Sequence, residues 1–341
     1  MKVSHLMTFF PVFVSLKKGV RVQQRYVSKA LTPGLEEAWK TNDGTLDQKD
    51  LRKITHYYGM GVPAIVGEFI GTLRGYPMSE TERRCSTYQG AITGLFDDFF
   101  DKTHLSGAQI RSMLNDPFHR TPQTSLEKVF LAFLQQIHRS TGNRELFMRQ
   151  TQKVFHAQEQ SKKQRLGSID LKALKDISIN KGGHSLLFYR SAFNHDWIGA
   201  EEKTLFEMGG VMQLGNDIFD VYEDSREGNR TIATAPKDIA RTRALYYTQL
   251  ARTLEHIDML SIPRKRRRAL RHKFLLAISR CEVCLDQLET LQKNNSNIFD
   301  PLSFSREALI CDMQKTKNIL GYIRYYLSGP SVSFQKRQPS P

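Results

Sequence analysis

Cysteine is scarce in this chain. Four thiols, Cys85, Cys281, Cys284 and Cys311, are too few for a disulfide scaffold. Cys281 and Cys284 form a CxxC, but no second pair or histidine set accompanies them. Two small buried residues on one helix face are the expectation, in a reducing, cytoplasmic setting. Long apolar runs are missing too: no stretch reaches the ~20 residues needed to cross a bilayer. Leu6 to Leu16 (LMTFFPVFVSL) has about the length of a signal-peptide core. Pro11 interrupts it, Lys17, Lys18 and Arg21 follow it, and no small-residue cleavage pattern appears. Residues 1–45 are therefore expected to be an N-terminal segment, partly helical, that docks on the domain or touches a membrane surface. Period-two alternation is also rare, which argues against a sheet protein.

What is present is helical periodicity, from about Leu51 to Tyr326, cut by turn signals such as Arg74-Gly75-Tyr76-Pro77 and Thr141-Gly142-Asn143. Ser125 reads as the cap of a helix with Glu127 in its first turn. No internal repeat or linker is visible. The expectation is an all-α protein with one helical domain over 46–327 and a polar, proline-containing tail over 328–341 that frays. The net charge of +15 is concentrated at Arg264, Lys265, Arg266, Arg267, Arg268, Arg271, His272 and Lys273. This run follows Pro263 and leads into an apolar-periodic segment. It reads as the solvated first turns of a helix, and it would also suit contact with an anionic membrane or a diphosphate.

The stretch Gly90-Ala-Ile-Thr-Gly94-Leu-Phe96-Asp97-Asp98-Phe99-Phe100-Asp101 is the first informative motif. At about 100° per residue, Asp97 and Asp101 lie within about 40° of each other on a helix. Like charges at this spacing repel, so a cation should compensate them. Magnesium is a natural candidate because it takes hard oxygen ligands and shares them with phosphates. Gly90 and Gly94 share that face, which fits either a bordering cavity or a closely packed neighbour.

The second motif runs from Gly209 through Gln213, Asn216, Asp217, Asp220 and Glu223 to Asp224. On a helix, Gly209, Gln213, Asn216, Asp220 and Asp224 share one stripe with Asp217 at its edge, while Val211, Leu214, Ile218 and Val221 lie opposite. No lysine or arginine enters four turns of this stripe, although the chain is strongly basic. An ordinary exposed amphipathic face does not explain that, and a metal site does.

The pattern GxxxQxxNDxxDxxxD resembles the second aspartate-rich motif of all-trans polyprenyl diphosphate synthases, with Asn216 where they usually carry aspartate. It is also similar to the second motif of squalene and phytoene synthases. Asn216, Asp220 and Asp224 further resemble the metal triad of class I terpene cyclases. All share the class I terpenoid-synthase fold, a single large helical bundle with a central cavity, and Asp97, Asp98 and Asp101 match their first motif. The two motifs stand in the family's order, about 120 residues apart.

The resemblance implies a linear prenyl diphosphate substrate held by three Mg2+ ions. Asp97, Asp101, Asn216, Asp220 and Asp224 would be ligands, Asp98 and Asp217 further catalytic residues, and Lys181, Arg226, Arg230 and Gln213 partners of the diphosphate. Arg324-Tyr325 is similar to the C-terminal Arg-Tyr pair of cyclases. Neither a GGKRxRP-like segment nor an RRG after Asp101 is present, which argues for one diphosphate site and against chain elongation. The first motif, Asp97-Asp-Phe-Phe-Asp101, is closer to that of cyclases than to that of squalene-type condensing enzymes. The carbocation would need aromatic faces, with Phe69, Phe96, Phe99, Phe188 and Phe219 as candidates. The resemblance also admits a homodimer and no nucleic-acid partner. The rival expectation is a non-catalytic basic helical protein that binds nucleic acid or membrane.

Overall fold

The computed structural model describes residues 3–101 and 105–329; the side chains of residues 3, 4, 97, 98, 100 and 101 lie outside that description. Every regular element among the described residues is helical, and no strand occurs among them. The tail beyond residue 329 lies outside the described residues. The chain divides into two compact units, one of Val14–His156 and Leu187–Trp197, the other of the described parts of Met1–Phe13, Ala157–Leu186 and Ile198–Pro341.

The chain opens with α1 (Val3–Ala30), which runs straight through Pro11. The expected interruption does not occur. Proline lacks an N–H, so the loss is one bond to the carbonyl of Met7, at a residue exposed to solvent. There follow α2 (Thr32–Lys40), α3 (Gln48–Arg52), α4 (Gly59–Gly61) and α5 (Gly67–Arg74), with wide π-turns over Lys53–Tyr58 and Val62–Val66. Then come α6 (Glu80–Asp101), α7 (Gly107–Asn115), α8 (Ser125–Ser140) and α9 (Arg144–Ser161).

Within the first unit α6 packs along α8 and against the Lys53–Tyr58 turn. The glycines of α6 explain the second contact. A Cβ at Gly90 would lie 2.4 Å from the carbonyl oxygen of Tyr58, and one at Gly94 would lie 3.1 Å from Cβ of Lys53. The glycine face of the first motif therefore meets a packed neighbour. Phe96 and Phe99 are buried and touch Phe130, with ring centroids 6.4 and 4.6 Å away. Phe188 packs on Phe147 at 5.7 Å, and Phe69 is fully buried. α8 begins one residue earlier than the sequence suggests. Thr124, in extended conformation, accepts the Glu127 N–H at 3.2 Å, whereas the Ser125 hydroxyl accepts the Asp43 N–H at 3.1 Å.

The second unit contains α10 (Leu171–Arg190, to Leu186), α11 (Glu201–Phe219), α12 (Val221–Arg226), α13 (Ile239–Asp258), α14 (Arg264–Ile278), α15 (Arg280–Asn294), α16 (Arg306–Leu309) and α17 (Thr316–Ser328). α11 is central, packing on α13 and α15 with Leu205, Met208, Val211, Leu214 and Ile218 fully buried. The apolar side of the second motif thus packs as its periodicity requires. Cys281 and Cys284 are free, buried thiols beneath α11, and Cys284 Sγ lies 3.3 Å from the carbonyl oxygen of Ile218. Arg243 binds Glu282, Asp286 and Glu289 at 2.8, 2.9 and 2.5 Å, joining α13 to α15.

Candidate functional site

α10 and α11 cross where neither carries a side chain. A Cβ on Gly182 would lie 2.2 Å from the carbonyl oxygen of Gly209, and the converse distance is also 2.2 Å. Gly183 is similarly pressed on the ring of Phe206. Only glycine permits this approach. It brings Ser178 and Lys181 of α10 to the acidic side of α11.

Asp217 is the most enclosed of the motif's carboxylates, 4% exposed. Ser178 Oγ donates to its Oδ2 at 2.6 Å and Gln213 Nε2 to its Oδ1 at 3.0 Å. Burial raises its pKa against these hydrogen bonds and the charge of Lys181. Asp217 is therefore locked in place, and Gln213 serves as its hydrogen-bond partner. Helical geometry relaxes at Asp220 (φ −93°, ψ 16°), although Asp220 and Asp224 still donate backbone N–H bonds to the residues four before them. α12 then continues to Arg226, and Gly228, at φ +73°, turns the chain back so that Asn229 N–H reaches the Asp224 carbonyl at 2.8 Å.

Asn216 lies exposed and donates from Nδ2 to Asp220 Oδ2 at 2.6 Å. Its amide oxygen remains as the atom suited to a hard cation. Asp220 and Asp224 are half-buried. Burial, then the charges of Glu223 and Asp217, push Asp220 up to about 6. Burial, then Asp217 and Asp220, push Asp224 up to about 8. Crowded in this way the carboxylates resist ionising together, and hard carboxylate and amide donors match what magnesium takes. Among the described residues, no three His, Cys, Asp or Glu side chains already converge as a metal centre. The side chains of Asp97, Asp98 and Asp101, at the C-terminal end of α6, lie outside the described residues.

The expected cations part company. Lys181 is half-buried, and its charge acts on both Asp217 and Asp224. Arg230 donates instead to the carbonyls of Gly167 and Ile169 at 2.6 and 2.9 Å, tying down the turn before α10. Arg226 stands over the ring of Tyr222 at 5.6 Å. Tyr325 donates its hydroxyl to Asp286, within the Arg243 cluster, and Arg324 is exposed. One cation escaped the sequence reading: Arg280, exposed at the start of α15. It lies 4.8 Å above the ring of Phe219, and its charge lowers the pKa of Asp220. Nothing in its local sequence marks it, because it reaches the motif only through the packing of α15 on α11.

No family model matches this sequence, and no curated protein matches it either.

Proposed function

We propose that the chain is a magnesium-dependent enzyme of isoprenoid metabolism that ionises a linear all-trans prenyl diphosphate, in the manner of a class I terpene cyclase. One observation carries this reading. Asp217, Asp220 and Asp224 crowd one side of α11 and α12 with their pKa values raised, while Lys181 and Arg280 stand as cations beside them. A surface helix gains nothing from such crowding, whereas a site that takes up cations and then an anion needs it.

Asn216, Asp220 and Asp224 are the proposed magnesium ligands of this unit, and Asp97 and Asp101 those of the first motif. Bound magnesium would supply charge neutralisation of the departing diphosphate. Asp217, held by Ser178 and Gln213, positions the helix and sets the local field. Lys181 and Arg280 meet diphosphate oxygens and stabilise negative charge as it builds on the leaving group. Arg280 stands over the ring of Phe219, an aromatic surface of the same motif.

Incubation with geranyl, farnesyl and geranylgeranyl diphosphates, with and without magnesium, tests the proposal. Metal-dependent diphosphate release with a cyclised product of unchanged carbon number is the expected result. A product of doubled or extended chain would reassign the enzyme to the condensing branch. No metal-dependent release from any chain length would overturn the proposal.

A further inference from the structure

α1 and α14 carry a feature that catalysis leaves unused. In the second unit the first turns of α1 are anchored through His5, Thr8 and Phe9. His5 Nδ1 lies 2.7 Å from the carbonyl oxygen of Tyr326, Thr8 Oγ1 lies 3.3 Å from His272 Nδ1, and the ring of Phe9 sits 5.5 Å from that of Tyr326. Val12 is buried on the same side. The opposite arc, about 120° wide, holds Leu6, Met7, Phe10 and Phe13. They are 50%, 74%, 71% and 40% exposed, an unusual run of large apolar side chains in water.

His272 lies on α14, whose opening sequence is Arg264-Lys-Arg-Arg-Arg268. Arg268 and Lys265 precede His272 by one and two turns on the same face, about 6 and 10.5 Å along the helix. The charge of Arg268 acts on both His272 and Tyr326. Arg264, Lys265 and Arg268 are exposed, whereas Arg267 binds the Leu260 carbonyl and Arg271 binds Asp258. No acidic residue occupies the first turn of α14 and no side chain caps it. Five cations at a helix N-terminus oppose the helix dipole, so folding alone does not favour them there.

We propose that the outer arc of α1 and the basic start of α14 together form a docking surface for an anionic lipid bilayer. The apolar side chains enter the headgroup–acyl boundary while the adjacent cations meet lipid phosphates. No helix among the described residues is long and apolar enough to cross a membrane, so the contact is peripheral. This inference is independent of the enzymatic proposal.

Co-sedimentation of the full chain with vesicles tests it, comparing phosphatidylcholine alone with phosphatidylcholine plus phosphatidylglycerol. Binding is expected only to the anionic vesicles and should weaken as salt rises. Met7→Ser with Phe10→Ser, and separately Arg264→Glu, Lys265→Glu and Arg268→Glu together, should each weaken it by about tenfold or more. All five positions are exposed, so melting temperatures should match the parent and confirm folded variants. Equal affinity for both vesicle types, or undiminished binding by either variant, would overturn the proposal. So would a dimer that hides Met7 and Phe10, or duplex DNA binding that exceeds vesicle binding and ignores the Met7 and Phe10 changes.

Discussion

Gly182 and Gly209 touch backbone to backbone, each placed so that a Cβ would fall 2.2 Å from the other's carbonyl oxygen. That contact sets the separation of α10 from α11, and with it the reach of Ser178 and Lys181 to the motif carboxylates. Gly209→Ala should therefore destabilise by about 1–3 kcal/mol or more, through overpacking that no side-chain rotation relieves. Gly34→Ala in α2 meets nothing within 4 Å and should stabilise by about 0.4–1 kcal/mol. Urea denaturation of the two variants measures the contrast.

The pair Arg74–Glu82 joins α5 to α6 at 2.6 Å with both side chains buried. Burial alone would raise the Glu82 pKa. Hydrogen bonds from Arg74 and from the backbone N–H groups of Ser79 and Asn194 outweigh it, so the pKa falls from 4.5 to about 2. A depressed carboxylate stabilises the fold fully above its unfolded pKa, and this stability is lost as pH falls from about 4.5 through 2. The loss should approach about 3 kcal/mol. Urea midpoints between pH 6 and 3 should fall steeply in the parent. Glu82→Gln should start lower and show a shallower slope.

Asp224 has the opposite sign. Its folded pKa is about 8 against an ordinary 3.8, so the folded state holds the proton more tightly. Metal-free protein should then lose stability as pH rises from about 4 to 8, by about 1–3 kcal/mol after allowance for solvent screening. Asp224→Asn should flatten the part of that slope above about pH 6, leaving the part below it that the raised Asp220 and Asp217 also contribute. Melting curves across this range check it.

Magnesium should raise the melting temperature of the parent, because a ligand that binds only the folded state stabilises it by mass action. Asp220→Asn and Asp224→Asn should each reduce the shift. Unchanged shifts in both variants would move the metal away from the second motif.

Arg280 is exposed, so Arg280→Ala should leave the melting temperature nearly unchanged. Under the proposed function it should lower kcat/KM for diphosphate release by about tenfold to a thousandfold, as loss of a donor to developing charge does. Arg280→Lys should recover part of this, since it keeps the charge but not the planar fork. Loss confined to thermal stability would leave Arg280 outside the site.

Much of the helical content was legible because burial of apolar side chains at helical spacing is a local property. Val211, Leu214 and Ile218 pack inward as their period requires, and Cys281 and Cys284 are the small buried residues expected. Thr124 took the cap from Ser125 because Asp43, some 80 residues earlier, pairs with Ser125. Pro11 failed to end α1 because a single missing donor on an exposed face is cheaper than losing the packing on either side.

The spacing of the acidic residues is written in the chain itself: Asn216, Asp220 and Asp224 recur every four residues, and a helix turns that recurrence into one face whatever surrounds it. Which of those groups is buried, held and matched with a cation was decided by packing between helices distant in sequence. Ser178 engages Asp217, Arg280 reaches Asp220, and Arg230 is taken up by a turn instead. Local geometry repeats with the period of the backbone. Burial and charge pairing depend on the crossing of helices, and two glycines that touch 27 residues apart set the crossing of α10 and α11.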